Sequence, residues 1–322
     1  MGRQGGAAVS GKNVCVLYGG RSLERDVSLS TGHRVIRALE ARGYAVTPID
    51  VDETLVQRLL DIKPAGVFIA MHGKGGEDGT VQELLEILRI PYTGSDVLSS
   101  IRAMDKVLAK HILEAAGIPT PAFYAFNDAA FREMGAKDTL DLIAAELGLP
   151  VVVKPAAQGS ALGINFAAEA RDLPRAMVSA LSFDRKVLLE RFVAGRELAV
   201  SVIDDGAPRV LPIVEAKPRS GHAFYDTESR YTAGETDFTV PAELAPEVTE
   251  QVEQVALGTF EALGCRGFAR VDIILDEAGV PWVLELNTIP GLTETSTMPL
   301  AAEAAGLSFE DLVAVIMESA FR

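Results

Sequence analysis

GFARVDIILDEAGVPWVLELNTIPGLTETST, residues 267 to 297, contains most of the acidic chemistry that can be placed in this sequence. Two runs rich in strong β-formers, 267–276 and 280–288, flank a short segment that contains a glycine, 277–279. Strand-forming runs on either side of such a turn predict an antiparallel hairpin. The remaining chain is interpreted outward from this hairpin.

The hairpin is predicted to have one apolar and one polar face, because side chains alternate along a strand. The side chains assigned to the apolar face are Val271, Ile273, Leu275, Trp282, Leu284 and Leu286. Burial of that face selects the register, which leaves on the other face Arg270, Asp272, Glu285 and Asn287. Such a polar face suits a polyanion, or a metal ion that a polyanion carries. For the hairpin alone, a solvated sheet face with a chance salt bridge is an equally good interpretation.

The composition is that of an ordinary globular protein. The chain has 322 residues, 48% hydrophobic and 23% charged, which is enough for two or three domains. A formal net charge of -15 argues against nucleic acid or an anionic membrane surface as the partner. The only cysteines, Cys15 and Cys265, adjoin apolar runs, which argues against a disulfide framework or a zinc site.

No stretch of the sequence has the features of a targeting or membrane-spanning segment. Residues 1–12 lack the apolar core of a signal peptide, and no run of about 18 apolar residues is present. We therefore predict a soluble, cytoplasmic protein with a flexible tail at residues 1–12.

Residues 13–88 alternate between short apolar strands and amphipathic helices. This alternation predicts a small parallel sheet whose ligand binds at the carboxyl ends of the strands. Glu24 and His72 follow predicted strands and are expected at those ends. Their simpler interpretations are a carboxylate facing a helix N-terminus and a polar loop residue.

Glycines in two loops of this region indicate which kind of ligand the sheet can bind. Four glycines within residues 73–79 favour a close approach of the backbone to a ligand. Gly19-Gly20 lacks the third glycine of the dinucleotide fingerprint, so an NAD-dependent dehydrogenase has little support.

Lysines occur in two later stretches, and the second of these is a candidate for phosphate binding. A predicted helix carries Lys106 and Lys110, although a solvated surface lysine is the simpler interpretation of Lys106. The apolar strand 151–153 leads into Lys154 and then into a loop of small residues, 159–163. This arrangement is typical of a backbone cradle for phosphates, which we favour over a plain hairpin turn.

Glu190 and Glu197 lie on either side of a short linker between two predicted strands. They are either exposed charges at a sheet edge or acceptors for an adenine amine and ribose hydroxyls, and the local sequence does not separate the two. Residues 217–240 are polar and aromatic without a clear period, which predicts an ordered functional loop or lid.

Seven stretches together resemble the D-alanine:D-alanine ligases of the ATP-grasp superfamily, from about residue 13 to the C-terminus. They are GGRSLERDVS (19–28), HGKGGEDGTVQ (72–82), MDK (104–106), VVVKPAAQGSALG (151–163), FYDTESRY (224–231), GFARVDIILD (267–276) and LELNTIPGLTETS (284–296). The resemblance implies a mixed α/β (α+β) chain with the ATP-grasp fold. Its implied domains are an N-terminal parallel-sheet domain (13–103), a central ATP-binding domain (104–192) and a C-terminal catalytic domain (193–322) with the lid 217–240.

The resemblance also implies a reaction. Ligases of this family use ATP to phosphorylate the carboxylate of one D-alanine, and the amine of a second D-alanine attacks the acyl phosphate. The expected product is D-alanyl-D-alanine for peptidoglycan precursors. The expected cofactors are ATP and two Mg²⁺ ions, with Mn²⁺ as a substitute ion, and the expected assembly is a homodimer without a nucleic-acid or membrane partner.

Site residues are carried over from the family by matching its motifs. The implied metal ligands are Asp272, Glu285 and Asn287. The implied ATP contacts are Lys106, Lys154, Gly159, Ser160, Gly163, Glu190 and Glu197. The implied catalytic residues are Glu24, Ser160, Tyr231, Arg270 and Gly291. Glu24 orients the amine of the first D-alanine, His72 lies near its carboxylate, and Ser296 binds the carboxylate of the second.

Three positions depart from the family pattern. Ala161 stands where many members have a second serine, which removes one possible hydrogen bond to phosphate. Arg230 stands where lysine is frequent and keeps the positive charge. Thr295 stands where some members have histidine. None of the three is an implied metal ligand.

Two alternative functions stay open. One is a D-Ala:D-Lac or D-Ala:D-Ser variant of the same ligase. Ester-forming relatives tend to have phenylalanine at the position of Tyr231, so the phenol favours D-alanine as acceptor. The other is a non-catalytic ATP-grasp module that regulates assembly. Such a module is expected to lose metal ligands or acceptor-site residues, and both sets are present here.

Overall fold

The computed structural model describes residues 11–218 and 236–322, which form three sheets with surrounding helices. The strands are β1 (Asn13–Tyr18), β2 (Ala45–Asp50), β3 (Gly66–Ile69), β4 (Phe123–Asn127), β5 (Val151–Pro155), β6 (Asn165–Ala167), β7 (Lys186–Arg191), β8 (Arg196–Asp204), β9 (Pro208–Val210), β10 (Val214–Pro218), β11 (Thr236–Thr239), β12 (Phe268–Leu275) and β13 (Pro281–Asn287). The helices are α1 (Arg25–Ala41), α2 (Leu55–Ile62), α3 (Thr80–Ile87), α4 (Val97–Met104), α5 (Lys106–Ala115), α6 (Asp128–Glu133), α7 (Leu140–Leu147), α8 (Leu173–Leu181), α9 (Pro246–Ala262), α10 (Thr297–Ala304) and α11 (Phe309–Ser319).

The first sheet is parallel, with strand order β2-β1-β3. Its central strand β1 is fully buried from Val14 to Leu17, as expected for a parallel strand covered on both faces. The turn before α1 and the loop after β3 both leave from the carboxyl ends of its strands. They bring Glu24 and His72 to one edge of the sheet, where both side chains are buried.

The other two sheets are antiparallel. The second has the order β4-β7-β5-β6, and the third has the order β11-β10-β8-β12-β13, with β9 paired to β8. Strand β8 is buried on both faces because the third sheet lies between two cores. Val200 and Val202 pack with α9, whereas Ala199 and Ile203 join the core of the first sheet.

The hairpin of β12 and β13 differs from the predicted register after its polar end. Asp272 pairs with Glu285, which keeps both on the predicted polar face, but Ile273 pairs with Val283, so Leu284 is an extra residue in a β-bulge. Val283 is therefore buried beside Ile273 in the core. The assignment of Trp282 and Leu284 to the apolar core face is wrong, because the bulge moves both to the face of Asp272.

The end of the chain packs against its beginning. Helix α11 lies against α1, and its buried residues Leu312, Val313 and Ile316 share a core with Val35 and Leu39. This contact was not predicted from the sequence. The domain boundaries at 103/104 and 192/193 stay predictions.

The predicted tail and lid fall largely outside the described residues. Residues 1–10 of the tail are outside, as are residues 219–235 of the lid with Tyr231 and Arg230, while β10 and β11 form the two ends of the lid. None of the helices in the described part of the chain is long and apolar enough to cross a membrane.

Candidate active site

Three of the predicted ATP contacts line one cavity of about 340 Å³ between the second and third sheets. Lys154 and Glu190 reach it from β5 and β7, and Glu197 from β8. Ile274 and Leu284 form an apolar wall on the hairpin side. Leu284 reaches this wall because of the bulge. Apolar walls with a few convergent polar groups are typical of a cofactor site.

The carboxylate of Glu190 is buried between two lysines. Its Oε1 accepts a hydrogen bond from Lys154 Nζ at 2.7 Å, and its Oε2 lies 2.5 Å from Lys110 Nζ. Burial by itself raises the pKa of Glu190, but the two ammonium groups outweigh burial and hold the pKa below its usual value. Burial also lowers the pKa of Lys110 to about 8, against the opposing effect of the Glu190 charge.

Lys106 lies at the next position along the cleft. Its Nζ donates to the carbonyl of Gln158 at 2.8 Å and lies 2.9 Å from Oε2 of Glu285. The side chain is buried, so the interpretation of Lys106 as a solvated surface lysine is wrong. The residue begins α5, which is capped by the Asp105 carboxylate. A small cavity lined by both Lys106 and Lys154 continues from the larger one.

The loop 159–163 passes close to this second cavity in a strained conformation. Ser160 and Ala161 have positive φ angles of 51° and 55°, in the left-handed region that side chains disfavour. The Ser160 hydroxyl donates to Oε1 of Glu24. Gly163 packs so closely against Phe183 that an added Cβ would lie 2.7 Å from the ring. The strained loop therefore connects the phosphate candidates to the first sheet.

The polar face of the hairpin is confirmed as a cluster. Arg270 donates to both oxygens of Asp272, at 2.6 and 2.9 Å. The register places Asp272 opposite Glu285 and Arg270 opposite Asn287. Asn287 Oδ1 accepts from the Ile289 N–H at 2.9 Å. Each carboxylate thus has a cation beside it.

The donor chemistry of this cluster fits Mg²⁺. Two carboxylates and an amide oxygen on adjacent strands are hard ligands of the kind that Mg²⁺ prefers, with phosphate oxygens and water completing the coordination. Within the described ranges no group of three or more His, Cys, Asp or Glu is arranged to hold a metal ion. The third oxygen donor of this cluster is the side-chain amide of Asn287, which is not among those residue types.

Glu24 is held at the far end of the cleft. An added Cβ at either Gly73 or Gly159 would lie 2.5–2.6 Å from its Oε2, so both glycines are needed for the close approach. This buried Oε2 has no hydrogen-bond partner among the described residues. Burial, and next the negative charge of Glu77, raise the pKa of Glu24.

His72 is engaged with protein groups on both ring nitrogens. Nδ1 lies 2.9 Å from the carbonyl of Ile289 and 3.3 Å from Glu77, while Nε2 lies 3.0 Å from the Thr31 hydroxyl. A carbonyl only accepts, so the hydrogen is assigned to Nδ1, and Nε2 accepts from Thr31. His72 joins α1 to the segment after β13. Its contact with a substrate carboxylate stays a prediction.

Gly291 and Ser296 lie near Arg270 in a further cavity beside the polar face. An added Cβ at Gly291 would lie 2.9 Å from Ser296 Oγ. The Ser296 hydroxyl accepts from the Thr293 N–H at 3.0 Å. Tyr231, which is predicted with Ser160 to be a hydrogen-bonding partner of Glu24 across the lid, lies outside the described residues.

The sequence interpretation did not include three residues at this site. Glu77 and Lys110 were read as parts of a loop and a helix, yet both are buried against predicted site residues. Lys110 follows Lys106 by four positions and so shares its helix face, which is a signal that was available. Leu284 could not be found, because its face depends on the bulge.

A cleft between two antiparallel sheets, lined by buried lysines, carboxylates and an apolar wall, fits a nucleotide-dependent ligase of the ATP-grasp class. The family profile "D-ala D-ala ligase C-terminus" matches residues 112–318, and "D-ala D-ala ligase N-terminus" matches residues 57–95. The chain belongs to the D-alanine–D-alanine ligase family.

Individual relatives agree with this membership. The chain is 47% identical over 303 residues to the D-alanine–D-alanine ligase of Desulforudis audaxviator, which covers 94% of this chain and 96% of that one. The solved structure of the Bacillus anthracis ligase complexed with ATP is 33% identical, with a TM-score of 0.81 over 97% of this chain and 98% of that one. The VanG D-Ala:D-Ser ligase of Enterococcus faecalis is 28% identical, with a TM-score of 0.80 over 97% and 100%.

Proposed function

We propose that this protein joins two D-alanines to D-alanyl-D-alanine at the expense of ATP, through a D-alanyl phosphate, for peptidoglycan precursor synthesis. The observation that carries the proposal is the buried Oε2 of Glu24, which lacks a partner among the described residues. An ionised carboxylate that is desolvated in this way is expected to receive a cation from a ligand. The ammonium group of an amino acid is such a cation, and Glu24 lies at the end of a nucleotide cleft.

ATP is proposed to lie along the cleft. Its base occupies the cavity lined by Glu190 and Glu197, and its phosphates lie between Lys106 and Lys154. The loop 159–163, with Gly159, Ser160 and Gly163, covers the phosphates. Mg²⁺ ions are proposed to be held by Asp272, Glu285 and Asn287, where they neutralise phosphate charge. With Mg²⁺ held there, the side chains of Arg270 and Lys106, which face two of these carboxylates, would be able to contact phosphate oxygens.

The first chemical step is proposed to form the acyl phosphate. Glu24 holds the ammonium group of the first D-alanine with help from Ser160 and Tyr231, and His72 lies near its carboxylate. A carboxylate oxygen attacks the γ-phosphorus, the bond to the β-phosphate oxygen breaks, and ADP leaves. Arg270 lies on the polar face where negative charge spreads over the transferring phosphoryl group.

The second step is proposed to form the peptide bond. Ser296 binds the carboxylate of the second D-alanine, and its amine, after losing a proton, attacks the carbonyl carbon of the acyl phosphate. The N–H of Gly291 donates to the oxygen that becomes negative in the tetrahedral intermediate. Inorganic phosphate then leaves with the electrons of the C–O bond, and the products are the dipeptide, ADP and phosphate.

The test is phosphate release from Mg-ATP with each candidate amino acid, combined with chromatography of the product. We expect release to depend on D-alanine and to yield D-alanyl-D-alanine, with L-alanine as the inactive control. Release that never depends on D-alanine would contradict the proposal.

The acceptor alternatives are compared in the same assay. D-serine or D-lactate, added beside D-alanine, is expected to be incorporated less than D-alanine, and a mixed product in excess would favour the variant ligases. Phosphate release that is absent with every amino acid would favour a non-catalytic module. We further propose a cytoplasmic homodimer, which cell fractionation and light scattering would test.

A further inference from the structure

Lys110 is a buried ionisable group to which the proposed reaction assigns no role. It lies on α5 four residues after Lys106, so both lysines project from one face of the helix. Its side chain is fully buried. Lysine is almost never buried to this degree unless it is paired, so its partners indicate what it does.

The hydrogen bonds around Lys110 connect the two sheets that enclose the nucleotide cleft. Its Nζ lies 2.5 Å from Oε2 of Glu190 on β7 and donates to the Thr120 hydroxyl and, at 3.2 Å, to the carbonyl of Pro121. Thr120 in turn donates to the carbonyl of Val283 on β13 at 2.8 Å. Lys110 therefore joins the second sheet to the hairpin of the third.

The net charge of the cluster around Glu190 indicates that Lys110 does more than link two sheets. Lys110, Lys154 and Glu190 together carry two positive charges and one negative charge, so the cluster has one positive charge in excess. Without Lys110 the cluster would be neutral. Lys154 lines both the base cavity and the adjoining small cavity, so the excess charge lies where the two meet.

We propose that Lys110 is a positioning residue for nucleotide binding: it stays paired with Glu190 and so allows Lys154 to turn toward the nucleotide phosphates. The proposal rests on the proposed function, in which Lys154 binds phosphate. When Lys154 turns away, Lys110 remains as the counter-ion of Glu190. A buried carboxylate that lost its only counter-ion would oppose this movement strongly.

Lys106, on the same helix, pairs with a different kind of carboxylate. Its partner is Glu285, at 2.9 Å, and this carboxylate is a proposed ligand of Mg²⁺. Glu285 would hold Mg²⁺ when the nucleotide is bound, and the metal would then supply its counter-charge in place of Lys106. No metal is proposed at Glu190, and Lys110 takes that role there.

The experiment compares the affinities of the full-length protein for ADP and for adenosine by calorimetry, because their ratio isolates the contribution of the phosphates. In Lys110→Met we expect this ratio to fall about 100-fold or more, the size expected for uncovering a buried charge. Adenosine affinity should stay within about threefold. Lys63→Met, which removes a lysine from an exposed position after α2, is the matched control and should leave the ratio unchanged.

A second substitution separates this role from structural damage. Adding Glu190→Gln to Lys110→Met removes the carboxylate that holds Lys154, so the ADP-to-adenosine ratio should rise again, although adenosine itself binds less well. If Lys110→Met does not fold, Glu190→Gln alone should give a ratio at or above that of the wild type.

Three outcomes would overturn the inference. The first is an ADP-to-adenosine affinity ratio in Lys110→Met that equals the wild-type ratio. The second is a double variant whose ratio is no higher than that of Lys110→Met. The third is a ratio in Glu190→Gln that lies below the wild-type ratio. Wild-type protein that binds ADP but makes no dipeptide would instead refute the proposed function.

Discussion

Replacing Glu24 by glutamine removes the charge proposed to hold the first D-alanine and preserves the shape of the side chain. Shape matters at this position, because the carboxylate lies between Gly73 and Gly159 with no space for a Cβ at either. Glutamine fits the same space and can still accept a hydrogen bond from Ser160. Any change in activity therefore reports the lost charge.

The magnitude follows from the burial of Glu24. The residue is 8% exposed, so solvent screens its interaction with an ammonium group only weakly. Removing one partner of such a pair costs about 3 kcal/mol, the lower end of the range for buried pairs, which raises the KM for the first D-alanine about 150-fold. The KM for ATP should change less than about threefold, since Glu24 does not line the base cavity.

The pH profile adds a second readout. Burial, followed by the charge of Glu77, raises the pKa of Glu24, and only the ionised carboxylate attracts an ammonium group. Wild-type kcat/KM for D-alanine should therefore fall as the pH drops through this raised pKa. Glu24→Gln should lack that acidic limb. Glu77→Gln, which removes the second cause of the shift, should move the limb to lower pH.

The assay is ADP release against D-alanine concentration at saturating Mg-ATP, from pH 5 to 9. Glu53→Gln is the matched control, because Glu53 is exposed and its ion pair with Arg21 is at the surface. The reasoning is refuted if Glu24→Gln changes the KM for D-alanine less than about threefold, or if its acidic limb persists.

Three further predictions concern other parts of the site. Asp272→Asn removes a proposed metal ligand and the partner of Arg270. We therefore expect kcat to fall about 100-fold or more and to recover partly at high Mg²⁺ concentration. A titration of activity with Mg²⁺ that matches the wild type would contradict this prediction. Gly159→Ala places a Cβ 2.6 Å from Glu24 Oε2. The KM for D-alanine should therefore rise about 10-fold, while the melting temperature changes little. An unchanged KM would contradict this prediction, because it would show that the loop shifts to accommodate the Cβ without affecting Glu24. Tyr231→Phe should raise D-lactate incorporation relative to D-alanine at acid pH, and product analysis showing the same ratio as wild type would refute that role.

Much of the polar face of the hairpin follows from local sequence. Alternation along β12 places Arg270 and Asp272 on one face and Val271 and Ile273 on the other, and burying the apolar face puts Glu285 with the first two. The parallel direction of the strands in the first sheet likewise follows from strand and helix alternation. These features depend on neighbours within one element or one turn.

Other features depend on distant parts of the chain. Trp282 and Leu284 were assigned to the wrong face, because a single bulged residue reverses the alternation and no local signal marks it. The sequence predicts only a helix position for Lys110, although its partners lie on β7 and in the segment between α5 and β4. The short contact between Glu24 and Ser160 joins residues that are 136 positions apart.

The sequence by itself therefore determined the kinds of strand and helix, the polar face of the hairpin and the family, because periodicity and motifs are local properties. Only the tertiary structure decided which charges face each other: Lys110 and Lys154 on Glu190, Lys106 on Glu285, and Glu24 with one oxygen buried and without a partner among the described residues. The physical reason is that burial and pairing arise when separate elements pack. The energy of a charge depends on that packing and not on its position along the chain.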